Sequence, residues 1–148
     1  LKINNTLTNN DVVVHIRNTD LIHRQYNFDY YIKCIDDNKF DRIFIISDDI
    51  NHDNIKNLQK RYKNIILVSK GDGKQHNNEV IINDFLHLYY AKNIIMSVST
   101  FSWFGAWISN ANKIYFPYDD RIYLKLHVNE DRYIYVDKKG KFKKYKDI

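Results

Sequence analysis

Four short apolar runs in this 148-residue sequence end in side chains that can do chemistry. "DVVVHIR" (11–17) brings His15 and Arg17, with Asp20 close behind. "RIFIISDD" (42–49) ends in Ser47, Asp48 and Asp49. "NIILVS" (64–69) opens into a polar loop from Lys70. "NIIMSVS" (93–99) leads to Ser97, Ser99, Thr100 and Ser102. An arginine offers forked donors to a phosphate. A Ser/Thr-rich turn entering a helix offers backbone N–H groups and the positive end of the helix dipole. Together these suit a diphosphate, while acids at the other strand ends suit a ribose or a base edge. "SVSTFSWFGAWIS" (97–109) therefore reads as a phosphate-binding helix start. Phe101, Trp103, Phe104 and Trp107 are expected to anchor it in the core, and Gly105 to let it pack closely.

Each residue also has a plainer reading. Ser97, Ser99 and Thr100 suit helix caps. Arg17 could pair with Asp20 on the surface, and Asp48 and Asp49 could cap a helix starting near Asn51. A histidine inside an apolar strand, such as His15, suits a hydrogen-bonded core position. His23, His52, His76, His87 and His127 are scattered without ligand spacing. Asp48 and Asp49 lack a third partner for a cation, so no metal is expected. No G-x-G-x-x-G and no G-x-x-x-x-G-K-[ST] is present, so neither the common dinucleotide nor the P-loop mode is expected.

The elements that must position these residues follow from periodicity. Beyond the four runs, "KIYFP" (113–117) reads as a fifth strand stopped by Pro117. Helical spacing marks 28–38, 51–63, with Asn51 or Asp53 near its cap, 79–91 and 100–111. Residues 70–78 read as a loop. "RYIYVDKKGKFKKY" suits a hairpin turning at Lys139 and Gly140. Continuous apolar strands alternating with helices point to an α/β fold: a Rossmann-like parallel sheet covered on both faces. In such sheets ligands bind beyond the carboxyl ends of the strands, where the chemistry-bearing residues fall.

Length gives one domain, residues 1–148. Hydrophobic residues make up 44% and charged residues 28%, both ordinary for a globular domain. The net charge of +5 owes most to "KKGKFKKYK" (138–146). Basic residues elsewhere do not gather with aromatics, so nucleic acid is not the expected partner. The one cysteine, Cys34, has no internal partner, and its expected role is packing in the cytoplasm or another reducing compartment. No apolar run approaches the roughly 18 residues that suggest a membrane span, and no signal peptide is visible. The chain starts at Leu1 rather than Met and is expected to be a fragment.

"HIRNTD" (15–20) resembles the H-x-R-x-x-D motif of fucosyltransferases, in particular the α-1,2-fucosyltransferases of glycosyltransferase family 11. "IFIISDD" (43–49) is similar to that family's F-S-D-D strand. "NDFLHLYYAKNIIMSVSTFSWFGAWIS" (83–109) resembles its later block, which runs through I-I-A-N-S-T-F-S-W-W-G-A-W-L. The matches come in family order and cover roughly residues 11 to 118. The resemblance implies the donor-binding half of a GT-B glycosyltransferase. It implies inverting, metal-independent transfer of L-fucose from GDP-fucose to a glycan hydroxyl, with no cofactor beyond that donor. By position, Arg17 would hold the β-phosphate as the catalytic group and His15 would lie against the nucleotide. Asp84 would contact guanine or ribose. Ser99, Thr100 and Phe101 would cradle the diphosphate and base, with Asp20 and Asp48 also in the donor site. Asn18 stands where the family commonly has a second arginine, and Phe104 where it has tryptophan. Only "LKINNTLTNN" precedes the first motif, so an acceptor half is expected to lie outside this chain, and turnover is expected to need it. The competing readings are a transferase for another nucleotide sugar, a non-catalytic nucleotide-binding module, and a basic RNA- or membrane-surface module built on the tail.

Overall fold

The computed structural model describes residues 3, 5–18, 28–69, 78–118 and 128–148. Within them the chain forms seven strands and four α-helices: β1 (Asp11–Ile16), α1 (Phe28–Asp36), β2 (Arg42–Ser47), α2 (Asp53–Arg61), β3 (Ile65–Leu67), α3 (Asn78–Tyr90), β4 (Asn93–Ile95), α4 (Thr100–Ile108), β5 (Lys113–Pro117), β6 (Tyr133–Val136) and β7 (Phe142–Lys143). A single 3₁₀ turn, Tyr145–Asp147, follows. The strands form one sheet in the order β3-β2-β1-β4-β5-β6-β7. All neighbours are parallel except β6 and β7. This is the expected Rossmann-like α/β fold, and its order reverses direction between β1 and β4.

Every residue of β1 is buried, because both faces of the sheet are covered. Val12, Val14, Ile16, Ile43 and Ile45 point to one face, where Tyr31, Cys34, Ile35, Ile55 and Leu58 bring α1 and α2 onto them. Val13, Phe44, Ile46, Ile94 and Ile114 point to the other, under Leu88 of α3 and Ala106 of α4. The Tyr30 hydroxyl donates to the Met96 carbonyl at 2.7 Å, tying α1 to the end of β4. Cys34 packs fully buried, as its spacing suggested.

The expected hairpin forms, and its first strand does more than pair with its second. β6 docks parallel to β5, with Ile114 opposite Tyr133 and Pro117 opposite Val136. The turn uses Asp137, whose carboxylate accepts the N–H groups of Lys139 and Lys141, and Gly140 at a φ of 74°. That backbone conformation favours glycine.

The placement of α4 corrects one expectation. Phe104 and Trp107 are each 46% exposed, and Phe101 and Trp103 are only partly buried. The face against the molecule is instead Ser102, Gly105, Ala106 and Ser109. Small side chains let α4 approach α3 closely: a Cβ on Gly105 would lie 2.8 Å from Leu88 Cδ1 and 2.9 Å from its Cβ. Phe101 and Trp103 pack against the core beside α4, as expected, whereas Phe104 and Trp107 turn outward, Trp107 stacking on Trp103 at 5.6 Å and Phe104 on Phe85 of α3 at 6.0 Å.

Candidate functional site

Parallel pairing brings the carboxyl ends of β1, β2, β3 and β4 to one edge of the sheet. Strand order reverses between β1 and β4, and α1 and α4, which follow these two strands, pack on opposite faces; in sheets of this kind the ligand crevice lies at that point. His15 and Ser97 meet beneath this point, both buried, with Ser97 Oγ 2.7 Å from His15 Nδ1. Burial holds the His15 pKa at about 4; the Asp48 carboxylate pulls it up and the Arg17 cation pulls it down. The ring is neutral at pH 7 and can share its Nδ1 with the Ser97 hydroxyl without a buried charge. Phe101 lies against it, 5.5 Å between ring centroids.

One residue beyond β1, Arg17 Nε meets Asp48 Oδ2 at 3.3 Å, and the arginine side chain stays 32% exposed. Asp20, the partner expected for Arg17, lies outside the described residues, as does most of the loop expected at this edge, residues 70–77; Asp48 is a partner the sequence did not suggest. Nor does Asp48 cap α2. Its Oδ1 accepts the Asn18 N–H at 2.8 Å. The cap of α2 is His52, whose Nδ1 accepts the Asn54 N–H at 3.1 Å, rather than Asn51 or Asp53. Asp49 contributes one turn earlier, accepting the Asn51 N–H.

Behind these groups runs a buried polar chain that sequence reasoning saw only in part. The Ser69 hydroxyl donates to Asp84 Oδ1 at 2.6 Å and accepts the Ser47 N–H at 2.8 Å. Ser47 in turn donates to the Ile16 carbonyl at 2.7 Å. Asn18 Nδ2 reaches Ser47 Oγ at 3.1 Å. The chain fastens α3, β3, β2 and β1 at the carboxyl edge. Asp84 is only 5% exposed and sits within this network rather than on the crevice surface. Burial pushes its pKa up to about 7, against the hydrogen bonds from Ser69 and Asn83, with the Asp48 charge adding to the rise. Ser69 and Asn18 were not identified as site residues. The signal for Ser69 was its place at the end of the third run. Asn18 looked like a lost arginine; it is a buried clamp on the end of β2.

On the other side of the gap, Ser99 caps α4, its side chain accepting the Phe101 N–H at 3.2 Å. Thr100 is exposed at the first helical position. No acid lies in the first turn of α4, so no side-chain charge there cancels its positive end. Ser102 is buried and donates to the Ser97 carbonyl at 3.1 Å, fixing the turn. Among the described residues no three His, Cys, Asp or Glu side chains converge into a metal-binding group. No model of a known protein family matches the chain, and no curated protein matches it.

Proposed function

We propose that this domain binds a nucleoside diphosphate sugar at the crevice between β1 and β4, and that GDP-fucose is its donor in transfer of L-fucose to a glycan hydroxyl. The observation that carries the reading is the pairing of Arg17, a third exposed at the end of β1, with the acid-free start of α4 across the point where strand order reverses. The identity of the sugar nucleotide rests on the resemblance of residues 15–20, 43–49 and 83–109 to fucosyltransferase motifs.

In this reading Arg17 turns from Asp48 toward the diphosphate. Its guanidinium and the N–H groups at the start of α4 stabilise the charge that grows on the leaving diphosphate as the glycosidic bond breaks. Ser99 and Thr100 line the same end of the helix. Neutral His15, buried and held by Ser97, backs the partly exposed Phe101 ring, which is the one that meets the nucleotide. Asp84 acts from behind Ser69 and positions the ends of β2 and β3. Because positive charge comes from Arg17 and the helix, binding is expected without a divalent cation.

Calorimetry on the purified chain with GDP, GDP-fucose, UDP and ADP, each with and without EDTA, tests this. The expected result is a preference for the guanine nucleotides that EDTA leaves unchanged. Equal binding of all four would reduce the domain to an unselective nucleotide module, and no binding would remove the proposal.

A further inference from the structure

A second cationic region lies away from the crevice. Between residues 137 and 147 the sequence holds six lysines and two aspartates. Of the two, Asp137 is engaged through its carboxylate, whereas the Asp147 side chain is exposed. Asp137 builds the hairpin turn and meets Lys143 Nζ at 3.5 Å, and the Asp147 N–H closes the 3₁₀ turn onto Lys144. Lys138, Lys139, Lys141, Lys144 and Lys146 are all exposed. The fold brings one more cation to them from another element. Lys33 of α1 lies along the turn so closely that a Cβ on Gly140 would sit 2.7 Å from its Cδ and 3.1 Å from its Nζ. Its ammonium also lies 5.8 Å from the Phe142 ring centroid.

Lysines on an edge strand commonly block pairing with other sheets. That accounts for Lys143 on β7. It does not account for Lys139 and Lys141 in the turn, for Lys146 beyond the strand, or for Lys33 on a helix, while the Lys144 ammonium donates to the Asp131 carbonyl at 3.2 Å. Beside the lysines, Tyr145 is 41% exposed and Ile148 39% exposed. Compact ammonium groups interspersed with exposed apolar side chains match a surface of anionic headgroups over hydrocarbon. No arginine lies between 133 and 148, and arginine is the residue that forks onto nucleic-acid phosphates and stacks on bases. We infer that the β6–β7 hairpin and the 3₁₀ turn after it form a docking surface for an anionic lipid bilayer. The inference is independent of what the crevice binds. β6 runs parallel to β1, so the turn that carries Lys138 and Lys139 lies at the same edge of the sheet as the crevice.

The test is co-sedimentation of the whole chain with phosphatidylcholine vesicles, with and without phosphatidylglycerol, at low and physiological salt. Binding is expected only with phosphatidylglycerol and is expected to weaken with salt. Each lysine near such a surface is worth roughly a five-fold change in partitioning, so the triple variant Lys138→Gln/Lys139→Gln/Lys141→Gln should lose about 100-fold. A thermal melt matching the parent shows that the loss is not unfolding. If the triple variant melts early, Lys144→Gln/Lys146→Gln, beyond the strand, serves instead with about a 25-fold loss. Tyr145→Ser should weaken binding to the anionic vesicles further. Equal binding to neutral vesicles, or none to anionic ones, would overturn the inference. So would tighter binding to single-stranded RNA that depends on the same lysines, which would make the surface a nucleic-acid one.

Discussion

Two arginine–aspartate pairs join β1 to β2, one at each end of the sheet, and they are built differently. At the amino edge Arg42 grips both carboxylate oxygens of Asp11, at 2.9 and 2.6 Å, and donates to the Thr6 carbonyl at 2.7 Å. Asp11 is buried and also accepts the Thr8 N–H. Burial alone would raise its pKa, but Arg42 and Thr8 hold it below the ordinary carboxylate value. At the carboxyl edge Arg17 meets Asp48 through Nε at a longer 3.3 Å, with both side chains partly exposed. The first pair is a closed forked clamp on the sheet. The second is longer and more exposed, and in the proposed function it exchanges a carboxylate for a phosphate. The acid buried behind each edge follows suit: Asp11 is held ionised, whereas burial holds Asp84 toward its neutral form.

The largest effect expected from this contrast is on pH-dependent stability. A pKa of about 7 in place of 3.8 means that folding favours protonated Asp84, so its contribution falls as pH rises from about 4 to about 7. Asp84→Asn removes that loss and should stabilise the domain above pH 7 by about 2–4 kcal/mol. Asp11 works in the opposite sense: its contribution is present above the ordinary carboxylate value and is lost as pH falls below it. Asp11→Asn should therefore destabilise at neutral pH. Denaturant melts of both variants at pH 5 and pH 8 check the pair. An Asp84→Asn protein less stable than the parent at pH 8 would mean that Ser69 needs the carboxylate ionised.

A smaller effect concerns His15. Buried and neutral, with a pKa of about 4 in place of 6.5, it contributes stability that is lost as pH falls through that window. Asp84 and His15 thus oppose each other between about pH 4 and 6.5. Asp84→Asn alone should show stability rising with pH there, and His15→Gln alone should show it falling. Parallel slopes in the two variants would contradict the assignment.

Smaller again is the cap of α4. Ser99→Ala should cost about 0.5–2 kcal/mol of stability. It should also weaken GDP more than GMP, if the start of the helix meets the β-phosphate. His52→Ala, which removes the cap of α2, should lower stability and leave both nucleotides unchanged. A melt paired with a GDP titration on each variant separates the two helices. A Ser99→Ala protein that melts early yet binds GDP at full affinity would leave Ser99 as a cap and nothing more.

Most of the scaffold could be read from local pattern. β1 is a run of β-branched residues, α1 and α2 carry apolar stripes, and the residues after each strand fall at the carboxyl edge because parallel strands leave no other place for them. What escaped depended on contacts remote in sequence. The docking of β6 on β5 has no periodic signature, and Asp48's contacts with Arg17 and the Asn18 N–H lie about 30 positions away along the chain. Asp84 meets Ser69 only because α3 returns over the end of β3. The outward turn of Trp107 had a local signal that went unused: Ser102, Gly105, Ala106 and Ser109 form a stripe of small residues at helical spacing, and such a stripe marks the side that packs closest.

The two arginines supply the most direct test of the central claim, that the carboxyl-edge pair serves a phosphate and the amino-edge pair serves the sheet. Arg17→Ala and Arg42→Ala should each be melted and titrated with GDP and with guanosine. Loss of a charge-assisted bond costs about 1.5–3 kcal/mol, so Arg17→Ala should weaken GDP by roughly 10- to 150-fold. It should leave guanosine and the melting temperature nearly unchanged. Arg42→Ala should lower the melting temperature while its folded fraction binds GDP like the parent. Equal losses of GDP and guanosine in Arg17→Ala, or a melting loss there matching that of Arg42→Ala, would contradict the claim.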